Sequence, residues 1–196
     1  MKNIRLTVWI GIMCGWLAAG MLQAGTRPDN ARPAEEDGSR LWLPVMRPVE
    51  GAEVEVIYKG KVSPTIAVAI AELKNAWKGE PVLLEKKRTG QGDGFAITSS
   101  EHQVRILSST EAGLLYGVYS LLRMQAAGQV TVPLSVTEQS VYDLRILNHW
   151  DNLDGTVERG YAGCSLWNWE ELPGTLSPRY EAYARANASV GINGTV

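Results

Sequence analysis

The stretch Leu144-Arg145-Ile146-Leu147-Asn148-His149-Trp150-Asp151-Asn152-Leu153-Asp154-Gly155-Thr156-Val157-Glu158-Arg159-Gly160-Tyr161-Ala162-Gly163 decides how this chain is read. Its first four residues, Leu144 to Leu147, read as a short buried strand. The sequence then turns at once to polar, aromatic and charged residues: Asn148, His149, Trp150, Asp151, Asn152, Asp154, Glu158 and Arg159. No other part of the chain is as dense in groups able to hold a polar ligand. Loops at strand ends, carried by a rigid scaffold, are where such groups concentrate.

Downstream, Pro178 to Ser189 has helix character, with Ser177 as N-cap and Pro178 at the first helical position, a favoured arrangement. Gly191 to Val196 reads as strand. Strand, long loop from His149 to Gly174, helix and strand make one βαβ unit, expected to be parallel and right-handed.

The residues Asn148 to Gly155, Val157 to Gly163, Arg179-Tyr180, Tyr183-Ala184-Arg185 and Ala188 to Gly194 together resemble the first barrel strand, loop, helix and second strand of the family 67 glycoside hydrolases, the α-glucuronidases. The resemblance is dense from Tyr142 to Val196. It implies a small α+β sheet-and-helix domain, like one found before the barrel of some hexosaminidases, followed by a (β/α)8 TIM barrel. A closed barrel needs about 250 residues, so residues 141–196 read as its first βαβ unit and the chain as a truncated fragment. The accessory domain is expected over 40–140.

Upstream, the pattern supports that division. Ala52 to Tyr58 alternates like a half-buried strand. Thr65 to Lys78 carries Ile66, Ala69, Ile70, Leu73, Ala76 and Trp77 at helical spacing, opened near Ser63 and closed near Gly79. Val82 to Lys86, Phe95 to Thr98 and Val104 to Leu107 read as strands. Gly90-Gln91-Gly92-Asp93-Gly94 reads as a tight hairpin turn; a phosphate loop is rejected because no Lys-Ser/Thr and no helix follow. Ser109-Thr110-Glu111 caps a helix from Ala112 to Ala127, and Gly113 and Gly117 predict close packing of that helix on strands. Gly128 ends it, and Val130 to Val136 leads back.

The N-terminus reads differently. Lys2 and Arg5 precede an uncharged apolar run from Leu6 to Leu22, and Leu22-Gln23-Ala24 ends in a small residue. Residues 1–24 are therefore read as a secretory signal peptide, the rival being a membrane anchor. Residues 25–39, rich in Pro, Ala, Gly and charge, read as a linker. Secretion or export to a periplasm follows as an expectation, with no membrane association after cleavage. Cleavage would leave Cys164 as the sole cysteine, read as a small packed residue and excluding an internal disulfide. The net charge of −2, without a basic block, argues against nucleic acid as a partner. Seven Trp and seven Tyr against one Phe suit sugar surfaces as well as cores. No metal-ligand spacing and no cofactor motif is present.

For the loop itself, Arg159 has the fork to grip a carboxylate, which a glucuronic acid carries. Trp150 offers a flat apolar wall to a sugar ring. Asp151, Asn152 and Glu158 can accept from sugar hydroxyls, or orient Arg159 and His149. Each has a plainer alternative: a Glu158–Arg159 ion pair, Trp150 as a core plug, Trp167 and Trp169 as loop packing. The resemblance implies an inverting hydrolase that removes α-1,2-linked glucuronic acid or its 4-O-methyl ether from glucuronoxylan-derived oligosaccharides, with homodimerisation of the full-length protein carried as an expectation. Glycoside hydrolysis needs two carboxyl groups across the scissile bond, and one loop does not easily supply both, so no catalytic residue is assigned in this chain. The reading from another class is a non-catalytic glycan-binding module that stacks sugars on Trp150, Trp167 and Trp169.

Overall fold

The computed structural model describes residues 43, 54–88, 90 and 92–196, all within one compact unit that spans Arg40–Val196. The expected signal peptide and linker lie outside the described residues, as does most of the stretch where order was expected to begin.

Five strands form a mixed sheet in the order β1-β2-β4-β3-β5: β1 Val56–Tyr58, β2 Val82–Lys86, β3 Phe95–Ser99, β4 Val104–Ser108 and β5 Ser135–Glu138. β1, β2 and β4 run parallel, whereas β3 is antiparallel to both β4 and β5. Alternation decides the faces. Val82, Leu84, Val104, Ile106, Phe95 and Ile97 are buried, while the residues between them are only partly covered.

Helix α1, Pro64–Ala76, begins where the sequence predicts, with Ser63 as N-cap and its hydroxyl accepting from the Ile66 N–H. Helix α2, Glu111–Ala126, is capped by Thr110, whose hydroxyl accepts from the Gly113 N–H at 3.0 Å. Each such cap is worth about 1 kcal/mol. α1 buries Ile66, Ala69, Leu73 and Ala76; α2 buries Leu114, Val118, Tyr119, Leu121 and Leu122. The two helices pack side by side against the sheet. Gly113 and Gly117 serve close approach as expected. A Cβ on Gly117 would stand 2.5 Å from Ile106 Cγ2, and one on Gly113 would stand 2.7 Å from the Asp93 carbonyl oxygen.

The hairpin expected at Gly90–Gly94 is not there. β2 and β3 are not neighbours, because β4 lies between them. The connection after Lys86 therefore carries the chain past the position that β4 later takes. Among the described residues, the strand pair joined by a tight turn is β3 to β4, through residues 100–103. The parallel pairing of β2 with β4 outweighs the local turn signal, since it keeps both buried faces in register over five residues.

The C-terminal part is a βαβ unit: β6 Ile146–Leu147, helix α3 Pro178–Ser189 and β7 Gly194–Thr195, with β6 and β7 parallel. Ser177 and Pro178 open α3 as expected. The strand expected at Leu144–Leu147 is shorter and less buried than its apolar residues suggest. Leu144 is 71% exposed and Ile146 41%. Only two residues of β6 find a partner strand, and this second sheet has two strands among the described residues, too few to cover an apolar face.

Two arginines fasten this unit to the sheet-and-helix part. Arg185 on α3 grips Glu72 on α1 with a two-pronged contact, Nε to Oε1 at 2.5 Å and Nη2 to Oε2 at 2.9 Å. Its Nη1 donates to the Leu43 carbonyl at 2.7 Å, and its guanidinium lies 5.8 Å from the Tyr119 ring centre. Arg145, just before β6, pairs with Asp93 at 2.5 Å and lies over the Tyr116 ring at 5.7 Å. Tyr116 and Tyr119 are three apart on α2, so they share a face. Burial, with Glu72 beside it, pushes the Tyr119 phenol up to about 12, which keeps it neutral against Arg185.

Candidate functional site

The loop from Asn148 to Gly163 leaves the C-terminal end of β6 and folds back on itself. Trp150 and Glu158 mark the two ends of a small closed turn, where the Glu158 N–H donates to the Trp150 carbonyl at 2.8 Å. Between them Asp151 and Val157 form an antiparallel bridge. Asn152 fills the middle: its backbone N–H donates to the Thr156 carbonyl at 2.8 Å. Its side-chain amide donates to Thr156 Oγ1 at 2.9 Å and to the Glu158 carbonyl at 2.6 Å. Asp154 caps the tip, its Oδ1 accepting from the Thr156 N–H at 2.9 Å and hydroxyl at 2.6 Å. These donors hold the Asp154 carboxyl below its ordinary range.

Two residues in this turn adopt the left-handed region without being glycine: Trp150 at φ 53° and Glu158 at φ 59°. Such conformations cost on the order of 1 kcal/mol each, and they persist where surrounding contacts over-determine them. Trp150 is 61% exposed, with no core of the described residues closed over its indole. Glu158 is half-buried and accepts from the Tyr161 hydroxyl at 2.5 Å, which pushes that phenol up from its ordinary value.

The five residues singled out from the sequence thus share one turn but differ in role. Trp150 and Arg159 are exposed. Among the described residues, Glu158 and Arg159 form no ion pair with each other. Asn152 spends its amide on the turn. Asp151 points inward: Oδ2 accepts from the Ser165 hydroxyl at 2.7 Å, and Oδ1 is buried with no partner among the described residues. The Ser165 hydroxyl in turn accepts from the Trp167 N–H at 2.9 Å. Cys164, expected to be packed, is exposed. It lies in an open bridge with Thr156, where no apolar neighbour closes over it.

A second layer joins His149 and Trp167, which the sequence offers as site groups, to Tyr180 and Tyr183, to which it gives no site role. His149 Nε2 shares a hydrogen bond with the Tyr183 hydroxyl. Trp167 meets His149 edge-on at 5.7 Å, Tyr180 at 5.1 Å and Tyr183 edge-on at 5.5 Å. The Asn168 N–H donates to the Tyr180 hydroxyl at 2.8 Å. The helix α3 therefore holds the loop at both ends, at His149 and at Trp167-Asn168. The signal was in the spacing: Tyr180, Tyr183 and Asn187 recur at i, i+3 and i+7, one helix face. Trp167 is consequently a packing residue with its ring engaged, whereas Trp169 is 54% exposed. Among the described residues no group of three or more His, Cys, Asp or Glu is placed to hold a metal.

Residues 124–196 match the model of the glycosyl hydrolase family 67 middle domain. The protein named "Probable alpha-glucuronidase A" of Neosartorya fischeri is 42% identical over 105 residues, 53% of this chain and 12% of that one. Its counterpart in Aspergillus clavatus is 39% identical over 105 residues, with the same shares covered. Alpha-glucuronidase A of Aspergillus tubingensis is 38% identical over 104 residues, again 53% of this chain and 12% of that protein. The matched part is thus about an eighth of the length of these relatives. Among solved structures, a GH138 enzyme targeting pectin rhamnogalacturonan II superposes with a TM-score of 0.53 at 15% identity, covering 74% of this chain and 24% of that one. That likeness extends the shared fold across most of the described residues.

Proposed function

We propose, on the premise that residues 124–196 are a glycosyl hydrolase family 67 segment, that this chain is the N-terminal part of a xylan-degrading α-glucuronidase. The substrate is a xylo-oligosaccharide bearing α-1,2-linked glucuronic acid or its 4-O-methyl ether. Hydrolysis proceeds with inversion, and the acid and base carboxylates come from outside this chain. Residues 40–140 serve as the accessory domain. β6, α3 and β7 serve as the first unit of a (β/α)8 barrel, which puts the Asn148–Gly163 loop at the substrate end. Residues 1–24 direct export.

The observation that carries this reading is the exposed Trp150 beside exposed Arg159, on a turn locked from within by Asn152 and from behind by α3. In this reading Trp150 lies along the apolar face of the uronic acid ring, and Arg159 pairs with its carboxylate. Glu158 accepts from a ring hydroxyl through the oxygen that Tyr161 leaves available. Asn152 and Asp151 act mainly by fixing those three. The test is release of uronic acid from such an oligosaccharide by the full-length protein, followed by NMR of the anomer first formed. Inversion of an α-linkage gives the β-anomer. Release of the α-anomer would overturn the mechanism, and no release at all would overturn the activity.

The exposure of Trp150 and Trp169 favours one second reading, a glycan-binding module with these two indoles as stacking platforms. Quenching of Trp fluorescence in this chain by neutral xylo-oligosaccharides, unaffected by uronic acid, would support it.

A further inference from the structure

We propose that Glu72 and Arg185 are positioning residues for the His149–Trp150 loop, acting through helix α3; for its effect on catalysis this rests on the α-glucuronidase reading.

The argument begins with helix geometry. At 3.6 residues per turn, positions two apart lie about 200° apart around the axis. Tyr183 and Arg185 therefore leave α3 on opposite sides. On one side, Arg185 closes its fork on Glu72 of α1 and donates to the Leu43 carbonyl. One turn on, the Ser189 carbonyl accepts from Arg123 of α2. On the other side, Tyr183 bonds His149 and Tyr180 accepts from the Asn168 N–H, with Trp167 packed against both rings. The helix is a beam with the accessory helices fixed to one face and the loop fixed to the other.

The side that faces the accessory helices is built to set an angle. A single ion pair holds a distance; a two-pronged guanidinium–carboxylate contact also holds an orientation. Here the pair is mostly covered, with side-chain exposures of 18% for Arg185 and 14% for Glu72, so water competes little for it. Stacking on Tyr119 fixes the remaining rotation. Loss of the fork frees α3 to turn about its axis. Such a turn moves the Tyr183 hydroxyl, and with it His149, the residue next to Trp150. A displacement of about 1 Å at a reacting centre can lower rates about a hundredfold.

Glu72→Gln keeps the shape of the side chain and removes the charge. In the full-length protein its kcat/KM on a 4-O-methylglucuronosyl xylo-oligosaccharide should fall at least about tenfold. Tyr183→Phe should also lower kcat/KM. The double variant should be no worse than the weaker single variant by more than about twofold, because both changes break one line of contacts. This chain has two histidines, so the ring NMR signals of His149 can be followed beside those of His102 as an internal control. In Glu72→Gln the His149 signals should move and the His102 signals should stay. If Glu72→Gln leaves His149 unmoved and kcat/KM within about twofold of native, the proposal is overturned; fully multiplicative losses in the double variant overturn it as well. Should Glu72→Gln fail to fold, Arg185→Lys keeps the charge but not the fork, and an unmoved His149 there is equally fatal. If His149 responds to Glu72 while the native protein releases no uronic acid, the α-glucuronidase reading fails and the coupling stands.

Discussion

The two halves of the described structure are held together by different forces. In the sheet-and-helix half, Ile66, Leu73, Val82, Ile97, Ile106, Leu114, Val118, Leu121 and Leu122 are completely buried, and the polar side chains buried with them are the small serines Ser108 and Ser120. In the βαβ half, Tyr180 is the buried hydrophobic residue, and Leu144, Leu153, Tyr161 and Val196 face outward. What orders that second half is directed: the Arg185 fork on Glu72, the Arg145–Asp93 pair, an asparagine knot at Asn152 and a ring cluster around Trp167. A core formed by area alone tolerates no loss of volume but is indifferent to small rotations. A loop formed by directed bonds tolerates exposure and is sensitive to angle. The first suits a support, the second a site.

The comparison can be broken most severely from the support side. Leu122→Ala should destabilise the chain by about 3 kcal/mol, read by denaturant unfolding, because the void in a fully packed core collapses only in part. Both halves should melt together; separate transitions would show that Arg145 and Arg185 do not couple them. Arg185→Met strips Glu72 of its charged partner and leaves it the Tyr119 hydroxyl at 3.5 Å. Full burial would make that worth about 3–5 kcal/mol, and the residual exposure of the pair brings the expectation to about 2 kcal/mol. Asn152→Ala leaves the core alone and removes two side-chain bonds of the turn, so it should lower stability by about 1 kcal/mol while weakening binding of a uronic acid ligand far more. A loss of stability without a loss of binding would mark the turn as scaffold only.

Acid offers a gentler probe. Hydrogen bonds from Ser63 and Lys86 hold the Glu111 carboxyl below its ordinary value of 4.5. Its folded value is thus the lower one, and its contribution is complete above 4.5 and fades as the pH falls through the depressed folded value. Unfolding followed from neutral pH down past 4.5 should show this loss in the native chain and less of it in Glu111→Gln. Smallest of all, Trp169→Ala should change stability by less than about 0.5 kcal/mol, since its ring is exposed. A larger loss would move Trp169 from the loop surface into its packing.

What could be read in advance was local. Ser63, Thr110 and Ser177 announce three helix starts because a cap is a contact within four residues. The Gly113–Gly117 pair announced close packing because a missing Cβ leaves few other uses. The glycines at 90–94 misled because a turn signal says that the chain bends, not which strand it will meet. Leu144–Leu147 misled in the same way: apolar side chains promise burial only where a neighbour exists to provide it. Cys164 looked like a packing residue by composition, but a turn rich in glycine brought nothing over it. The turn that gathers Trp150 to Arg159 was legible as a polar stretch, and its supports were not. Glu72 and Arg185 lie far apart in sequence, and no local pattern ties one to the other. Nor does any propensity place Trp150 and Glu158 at positive φ; only the closed turn around Asn152 does that.

Arg145 and Arg185 also bear on module exchange. A designer who grafts a foreign module behind residue 140, or transplants residues 141–196 behind another domain, would choose that position from the sequence as a clean seam. Yet the hold on α3 is written upstream of it, in Glu72, the Leu43 carbonyl and Tyr119, and the hold on the entry to β6 in Asp93 and Tyr116. A chimera cut there keeps every residue of the loop and loses the half of its mounting that sets direction. The transferable piece is the loop together with α1, α2 and α3.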